Sequence, residues 1–163
     1  MLAGKVDRRQ RGAVAIEFAA VFVLFFAVLY GLLGYCIPLL MLQSFNEAAS
    51  AGARATVALN PAASNYASAM ATAADTAVRQ RLSWMPSSWY QACSGSSFLQ
   101  STSSVSVAQT INGKTQNQTY TQVTVCVSYP YTQKPIVPLL TLPIIGTVPR
   151  LPDVLQGKAS LLL

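Results

Sequence analysis

Residues 8–42 read RRQRGAVAIEFAAVFVLFFAVLYGLLGYCIPLLML, a basic cluster followed by a long apolar run. No charged residue occurs from Phe18 to Asn46, so the run exceeds the roughly 20 apolar residues with which a helix crosses a bilayer. A helix over residues 13–42 would measure about 45 Å, which is longer than the hydrocarbon layer of about 30 Å. The sequence therefore predicts a transmembrane helix over residues 13–42.

The charges before this run predict its orientation. The first twelve residues carry four basic side chains and one acidic side chain, a net charge of +3, whereas the whole chain carries +6. Positive charge close to a first membrane helix favours the cytoplasmic side. We therefore expect residues 1–12 to form a cytoplasmic leader and residues 43–163 to form an extracytoplasmic domain.

The apolar run fits a cleaved secretory signal or a buried core helix less well than a membrane span. A cleaved signal has an apolar region of about 7–15 residues and a small-residue A-x-A cleavage site. This run is longer, and no such site closes it. A buried core helix is also a poor fit, because core helices rarely contain more than about 18 consecutive apolar residues.

The glutamate at position 17 interrupts the apolar run close to its start. An ionisable group near the membrane interior costs about 2–3 kcal/mol and usually has a function, although Glu17 on its own could also extend to the interface. Its surroundings are more specific. Gly12 ends the basic leader, four small or apolar residues follow, and Phe18 comes directly after Glu17. This arrangement resembles a prepilin peptidase site, which implies cleavage between Gly12 and Ala13 and makes Glu17 the fifth residue of the mature chain.

Such a cut has a physical rationale. Glycine has no side chain, so a protease can approach the backbone at Gly12 closely. Cleavage frees an α-amine at Ala13, and such an amine is largely protonated at neutral pH. In a low-dielectric environment this cation would pair strongly with Glu17 of a neighbouring subunit. We therefore expect Glu17 and Phe18 to act in assembly, with the charge pair setting the axial register of neighbouring helices.

The helix is predicted to continue beyond the membrane. One face of the following segment is made mostly of small residues, which allow helices to approach closely. This face could pack against a neighbouring helix, against the chain's own domain, or against both. Asn60-Pro61 is expected to end the helix, because the residue before a proline disfavours helical geometry. The face consists of Leu42, Phe45, Ala49, Gly52, Thr56 and Leu59.

Residues 1–59 as a whole resemble the TadE family, the minor pilins and pseudopilins of tight-adherence (Flp, type IVc) pilus systems. The resemblance lies in Gly12–Phe18, in the apolar run and in the segment Phe45–Ala55, with Phe18 standing where many Flp-type sites have tyrosine. It implies a minor pilin or pseudopilin that takes part in initiating, capping or assembling a type IVc (Tad/Flp) pilus through packing of its N-terminal helix.

The same resemblance implies a location and partners. The protein would be a single-pass protein of the bacterial inner membrane with a cytoplasmic N-terminus and a periplasmic C-terminal domain, or a subunit of the extracellular pilus. Its implied partners are prepilin peptidase, other pilins, membrane lipid, and the Tad inner-membrane platform with its secretion ATPase machinery.

The remaining sequence predicts a small α+β domain. A second helix is expected over Ser64–Leu82, followed by a break in which Trp84 and Trp89 anchor the core. Two alternating segments predict antiparallel strands over Ser103–Ile111 and Thr119–Tyr129. The fold class is therefore α+β: a long N-terminal transmembrane helix extended by an amphipathic helix, a second helix, and then a small antiparallel sheet.

The connections around these strands carry their own signals. Asn112-Gly113 predicts a hairpin turn between the two strands, although the loop could extend to Gln118. Five prolines between residues 132 and 153 indicate an irregular apolar loop rather than a central strand. This loop could pack on the sheet or touch the membrane surface. The resemblance to TadE-like chains implies a last short strand after such a loop, and Leu155–Leu163 would fill that place.

The three cysteines divide between the two predicted regions. Cys93 and Cys126 are expected to lie on the outer side of the membrane, where disulfides persist. We predict that these two cysteines bond to each other. Cys36 lies in the predicted membrane segment and is expected to stay reduced.

The residue inventory argues against catalysis. The chain has no histidine, which removes the commonest general base and the commonest metal ligand, and it has only five carboxylates. We expect no enzyme, no cofactor and no metal, and the absence of a basic stripe with interleaved aromatics gives no support for nucleic-acid binding. One alternative is an uncleaved single-pass anchored envelope binding or scaffold protein, with the polar hairpin as its recognition surface. A membrane-tethered enzyme is a third, but its Ser or Cys nucleophile would lack a histidine base.

Overall fold

The computed structural model of the chain describes residues 9–111, 114–138, 140–142 and 146–163. Two helices are present in these ranges, α1 over Arg9–Val57 and α2 over Tyr66–Arg81, with a short 3-10 turn at Ser87–Trp89. Six strands follow, and their order after the two helices confirms the predicted α+β class. The strands are β1 Gln91–Ala92, β2 Leu99–Ile111, β3 Lys114–Tyr129, β4 Leu140–Leu142, β5 Gly146–Val148 and β6 Leu155–Leu162.

The chain divides into two compact units. The helix unit contains the chain up to Ile37 together with Val137–Arg150, and the sheet unit contains Pro38–Ile136 together with Leu151–Leu163. Helix α1 contributes to both units, because it continues without a break through Pro38 to Val57. An α-helix satisfies its backbone hydrogen bonds within itself, so one long helix can serve an apolar and an aqueous environment in turn.

In the sheet unit, α2 buries one narrow face. Met70, Ala74 and Val78 are buried at intervals of four residues, which is the spacing of one helical face. The helix is also tied to the start of β2, because an Asp75 carboxylate oxygen accepts a hydrogen bond of 2.8 Å from the Phe98 amide. The predicted second helix is therefore confirmed, with ends two residues and one residue inside the expected bounds.

The two tryptophans do not act alike. Trp84 has 64% of its surface exposed, so the prediction that it anchors the core is wrong, while Trp89 is half-buried. The core position in this segment is held by Met85, which is 5% exposed. A large aromatic in a short connection carries no periodicity from which its direction can be deduced, and the prediction for Trp84 was wrong for this reason.

Strand β3 is the centre of the main sheet. β2 pairs with it from Leu99 opposite Val125 to Ile111 opposite Lys114, and β6 pairs with it from Leu155 opposite Tyr129 to Leu162 opposite Gln122. Because β1 and β6 both pair with Val127 and Ser128, they must lie on opposite edges of β3. β1 and β2 therefore share one edge of β3, and the predicted last strand occupies the other.

The predicted hairpin turn falls outside the described residues. Ile111 is paired with Lys114, so only Asn112 and Gly113 connect the two strands, and the structure describes neither of them. Both strands are longer than predicted, since β2 begins at Leu99 and β3 begins at Lys114. The extra residues are mainly serine, threonine, glutamine and asparagine, whose weak hydrophobic alternation hides a strand.

The carboxyl-terminal part of α1 packs on the sheet through its small-residue face. Phe45, Ala49 and Ala53 are completely buried there. A Cβ atom built on Gly157 of β6 would lie 2.5 Å from the amide nitrogen of Asn46 and closer still to the carbonyl carbon of Phe45. The helix backbone thus lies directly on the glycine.

A second close approach joins the two helices. A Cβ atom built on Gly52 of α1 would lie 2.8 Å from a Val78 methyl group of α2 and 3.2 Å from one of Val125. The small face predicted between Leu42 and Leu59 therefore packs against the chain's own domain, which was one of the two uses that the sequence left open. Glycine at position 52 permits this approach because there is no Cβ to separate the elements.

The proline-rich segment contains more structure than expected. β4 and β5 pair antiparallel, Leu140 opposite Val148 and Leu142 opposite Gly146, in a two-stranded sheet of their own. The expectation of a wholly irregular loop is therefore wrong, although neither strand belongs to the main sheet. The physical reason is that β4 and β5 are both free of proline, so no ladder donor is missing within either strand.

A buried tyrosine lies at the end of β3. Tyr129 is 4% exposed, and its hydroxyl donates a hydrogen bond of 2.6 Å to the carbonyl oxygen of Lys134. Burial raises the pKa of Tyr129 above its ordinary value, and the neighbouring Tyr131 raises it further. The neutral phenol is thus held as a donor that fixes the chain where it leaves the sheet.

Cys93 and Cys126 are joined in a disulfide, as predicted from the sequence, with their Cα atoms 5.7 Å apart. Reduction is expected to lower the free energy of unfolding by about 3 kcal/mol, because the bond closes a long loop across a separation of 33 residues. Urea titrations of the detergent-solubilised chain with and without reductant, followed by tryptophan fluorescence, would measure the loss.

The matched control for the disulfide is Cys36→Ala, since Cys36 is free and exposed. This variant is expected to change the unfolding free energy by less than about 0.5 kcal/mol. Peptide mapping that found Cys93 and Cys126 as free thiols in protein from its native compartment would contradict the bond.

Candidate functional site

The amino-terminal half of α1 presents an apolar surface that no other part of the described chain covers. Every residue from 13 to 29 is exposed, including Ile16 at 73% and Phe18 at 68%. None of the most apolar part of this helix is buried inside the chain, and its length and composition suffice to cross a membrane. Exposed apolar surfaces of this extent in proteins mark contacts with membrane or with protein partners.

The predicted cleavage site lies near the start of this helix. α1 begins at Arg9, so the peptide bond between Gly12 and Ala13 falls about one turn inside it. The bond predicted to be cut therefore lies within helical backbone.

Glu17 and Phe18 lie one turn further along the helix. Glu17 is exposed, about 6 Å along the helix axis from Ala13. None of the side chains that the structure describes forms an ion pair or a hydrogen bond with its carboxylate.

A stripe of phenylalanines starts at Phe18. Its ring lies 5.9 Å from that of Phe22, and the Phe22 ring lies 4.5 Å from that of Phe26. The three residues are spaced four apart and so form one ridge on the helix surface. Phe22 and Phe26 were not among the residues predicted for assembly, although their regular spacing from Phe18 is visible in the sequence.

One open groove runs between the carboxyl-terminal part of α1 and α2, where Arg81 and Glu47 are 3.4 Å apart with both side chains more than half exposed. Exposed pairs of this kind contribute little energy. Among the described residues, no group of three or more potential metal ligands comes together.

The family comparison bears on the same helix. The family model described as TadE-like protein matches residues 12–54. Residues 12–54 of the amino-terminal helix are therefore similar to this family. The match confirms the resemblance inferred for this region, and it begins at Gly12, the residue that the predicted cleavage site places before the cut.

The TadE-like segment accounts for most of α1 and ends before α2 and the sheet. It contains Gly12, Ala13, Glu17 and Phe18, which lie within two turns of one helix, whereas Cys93 and Cys126 belong to the sheet unit. No curated protein and no solved structure shows a significant match to the chain. The family evidence therefore concerns the TadE-like helix and its exposed surface.

Proposed function

We propose that the chain is a membrane-anchored minor pilin or pseudopilin that helps to initiate, cap or assemble a type IVc (Tad/Flp) pilus. One observation carries the proposal. The TadE-like segment, residues 12–54, contains the stretch from residue 13 to 29 in which every side chain is exposed. A surface of this kind serves first as a membrane span and then as a packing surface between helices of neighbouring subunits.

The proposed topology follows from charge and length. Residues 1–12 form a cytoplasmic leader, residues 13–42 cross the inner membrane, and residues 43–163 form a periplasmic domain. The leader carries a net charge of +3, which favours the cytoplasmic side. The protein enters the extracellular pilus or remains at its base, and both places use the same helix.

The proposed assembly contact is a charge pair. Prepilin peptidase cuts between Gly12 and Ala13, and the freed amine of Ala13 pairs with Glu17 of an adjacent subunit. The exposure of Glu17 and the absence of a partner for it among the described side chains support this contact. Phe18 and the ridge behind it supply apolar contact beside the pair. Other pilins, the Tad inner-membrane platform and its secretion ATPase are the further partners.

A second candidate function is an uncleaved, single-pass envelope binding or scaffold protein. The observation that favours it is the outer part of the β2–β3 hairpin, which extends beyond the end of β6. Those of its side chains that the structure describes are mostly polar and exposed, among them Ser106, Gln118 and Thr119. A ribbon without a third strand exposes backbone donors and acceptors at its edges, which another chain can pair with.

Mass spectrometry of the mature N-terminus separates the two functions. In cells with an active prepilin peptidase, the membrane protein is expected to begin at Ala13, and in peptidase-deficient cells it is expected to retain residues 1–12. An amino terminus at Met1 in cells with an active peptidase would refute the cleaved pilin and favour the anchored binding protein.

A further inference from the structure

The β4–β5 hairpin is attached to the outer end of the exposed helix surface by two tyrosines. The hydroxyl of Tyr30 donates a hydrogen bond to the carbonyl oxygen of Pro138, just before β4. The hydroxyl of Tyr35 accepts a bond of 3.2 Å from the backbone N–H of Arg150, just after β5. All four residues belong to the helix unit, so the hairpin is held at both ends.

A glycine on α1 allows this attachment to be close. A Cβ atom built on Gly34, between the two tyrosines, would lie 3.6 Å from two ring carbons of Pro149. Pro149 and Gly34 are both buried, and Tyr30 is the first residue of α1 after Ala13 that is half-buried rather than exposed. The hairpin therefore begins where the uninterrupted run of exposed residues ends.

The position of this attachment along the helix corresponds to a membrane boundary. Tyr30 lies about 26 Å and Tyr35 about 33 Å from Ala13 along the helix axis, and the hydrocarbon layer is about 30 Å thick. With Ala13 at the inner boundary of the hydrocarbon layer, the two tyrosines stand on either side of its outer boundary, and the rest of the predicted span, up to residue 42, lies beyond the hydrocarbon. Tyrosine is enriched at membrane–water interfaces, where its ring and hydroxyl meet different environments.

The composition of the hairpin also suits an interface. The sequence carries no charged residue from Ile136 to Pro149, and Lys134 and Arg150 flank this stretch. Three prolines within it lack a backbone donor, which lowers the number of N–H groups that would need a partner in lipid. The two tyrosine bonds satisfy backbone groups at the base of the hairpin, as a water-poor environment requires.

We propose that the β4–β5 hairpin inserts into the outer leaflet of the phospholipid bilayer beside the transmembrane helix, with Arg150 at the level of the phosphate groups. The hairpin then gives the chain a second, shallow membrane contact that continues the lipid-facing surface of α1. This inference rests on the proposed membrane span. It assigns lipid, rather than a second protein chain, as the partner of the hairpin.

The test measures the depth of a fluorescent probe in vesicles. Single cysteines replace Thr141 in β4, Leu24 in the span and Ser104 in β2, each in the full chain with Cys36→Ala, and each is labelled with the environment-sensitive dye NBD. The three positions are exposed in the structure. The labelled chains are reconstituted into phosphatidylethanolamine–phosphatidylglycerol vesicles, which contain phosphatidylcholine spin-labelled either near the glycerol end or near the middle of an acyl chain.

The proposal predicts a distinct result at each position. The probe at Thr141→Cys is expected to be quenched about twofold more by the shallow spin label than by the deep one, because interfacial elements insert only about 5–10 Å. The probe at Leu24→Cys is expected to be quenched strongly by the deep label. The probe at Ser104→Cys is expected to show water-exposed emission and little quenching by either.

Two contrary outcomes are distinguishable. If Leu24→Cys is quenched but Thr141→Cys behaves like Ser104→Cys, the hairpin does not contact lipid, and the proposed function stands. Shielding of the Thr141 probe that appears only in pilus assemblies would likewise overturn the inference, in favour of a protein partner. If Leu24→Cys is not quenched, the span is wrong, and both proposals fail.

Discussion

Replacing Glu17 with alanine is expected to leave the chain membrane-inserted and cleaved after Gly12, but to reduce its recovery in pilus assemblies at least tenfold. The reason is electrostatic. Removing one member of a buried, paired set of charges costs about 3–5 kcal/mol, because the remaining charge is left without a partner. A tenfold change in association needs only about 1.4 kcal/mol, so a substantial defect is expected even if part of the cost is relieved by loss of the amine's proton.

The measurement is co-purification of the chain with the pilus machinery from membranes, together with mass spectrometry of its N-terminus. Glu17→Gln keeps the size of the side chain without its charge and is expected to fail as Glu17→Ala does, whereas Glu17→Asp is expected to restore part of the recovery. Glu47→Ala is the matched control, because Glu47 is an exposed carboxylate on the same helix with a weak surface partner. Recovery of Glu17→Ala equal to that of Glu47→Ala would contradict the pairing role.

Replacing Gly157 with valine is expected to lower the free energy of unfolding of the sheet unit by about 4 kcal/mol or more, beyond the usual cost of overpacking. The first atom of any side chain at this position would lie 2.5 Å from the backbone nitrogen of Asn46. The obstacle is helix backbone, which cannot rotate away as a side chain can. The carboxyl-terminal part of α1 would have to leave the sheet, and buried residues such as Phe45 and Ala49 would become exposed.

Urea unfolding of the detergent-solubilised chain, followed by the fluorescence of Trp84 and Trp89, would measure this loss. Gly31→Val is the matched control, since it makes the same substitution in α1 where a Cβ atom would meet nothing within 4 Å. A midpoint for Gly157→Val within error of that for Gly31→Val would show that the helix does not pack on this strand as described.

The candidate site was predictable from local sequence because all its parts lie on one helix. A charge-free run, a basic leader and Glu17 at a set distance from Gly12 are each visible without knowledge of any long-range contact. The structure adds that α1 starts before the predicted cut and that Phe22 and Phe26 continue the ridge from Phe18. A cleavage motif does not specify whether the backbone around the cut is helical, so the helical residues before Ala13 could not be predicted from it.

The β4–β5 hairpin shows where sequence reasoning failed. Proline spacing indicated an irregular segment, but the two short strands are both proline-free and pair only with each other. Strands of three residues carry too little alternation to be recognised. Their attachment to Tyr30 and Tyr35 joins residues more than a hundred positions apart in the chain, and no local pattern encodes such a contact.

Sequence alone was sufficient for the elements whose periodicity is strong: the apolar helix, α2, and the paired strands β2 and β3. Hydrophobic period and turn chemistry are properties of neighbouring residues, so they can be read along the chain. The placement of those elements was a different matter. Three contacts between distant segments could not be predicted from local sequence: β6 pairs with β3, α1 packs on Gly157, and α1 packs against α2 at Gly52. Packing depends on which surfaces fit at close range. In this protein the fit depends on Gly52 and Gly157, where any larger residue would separate the elements.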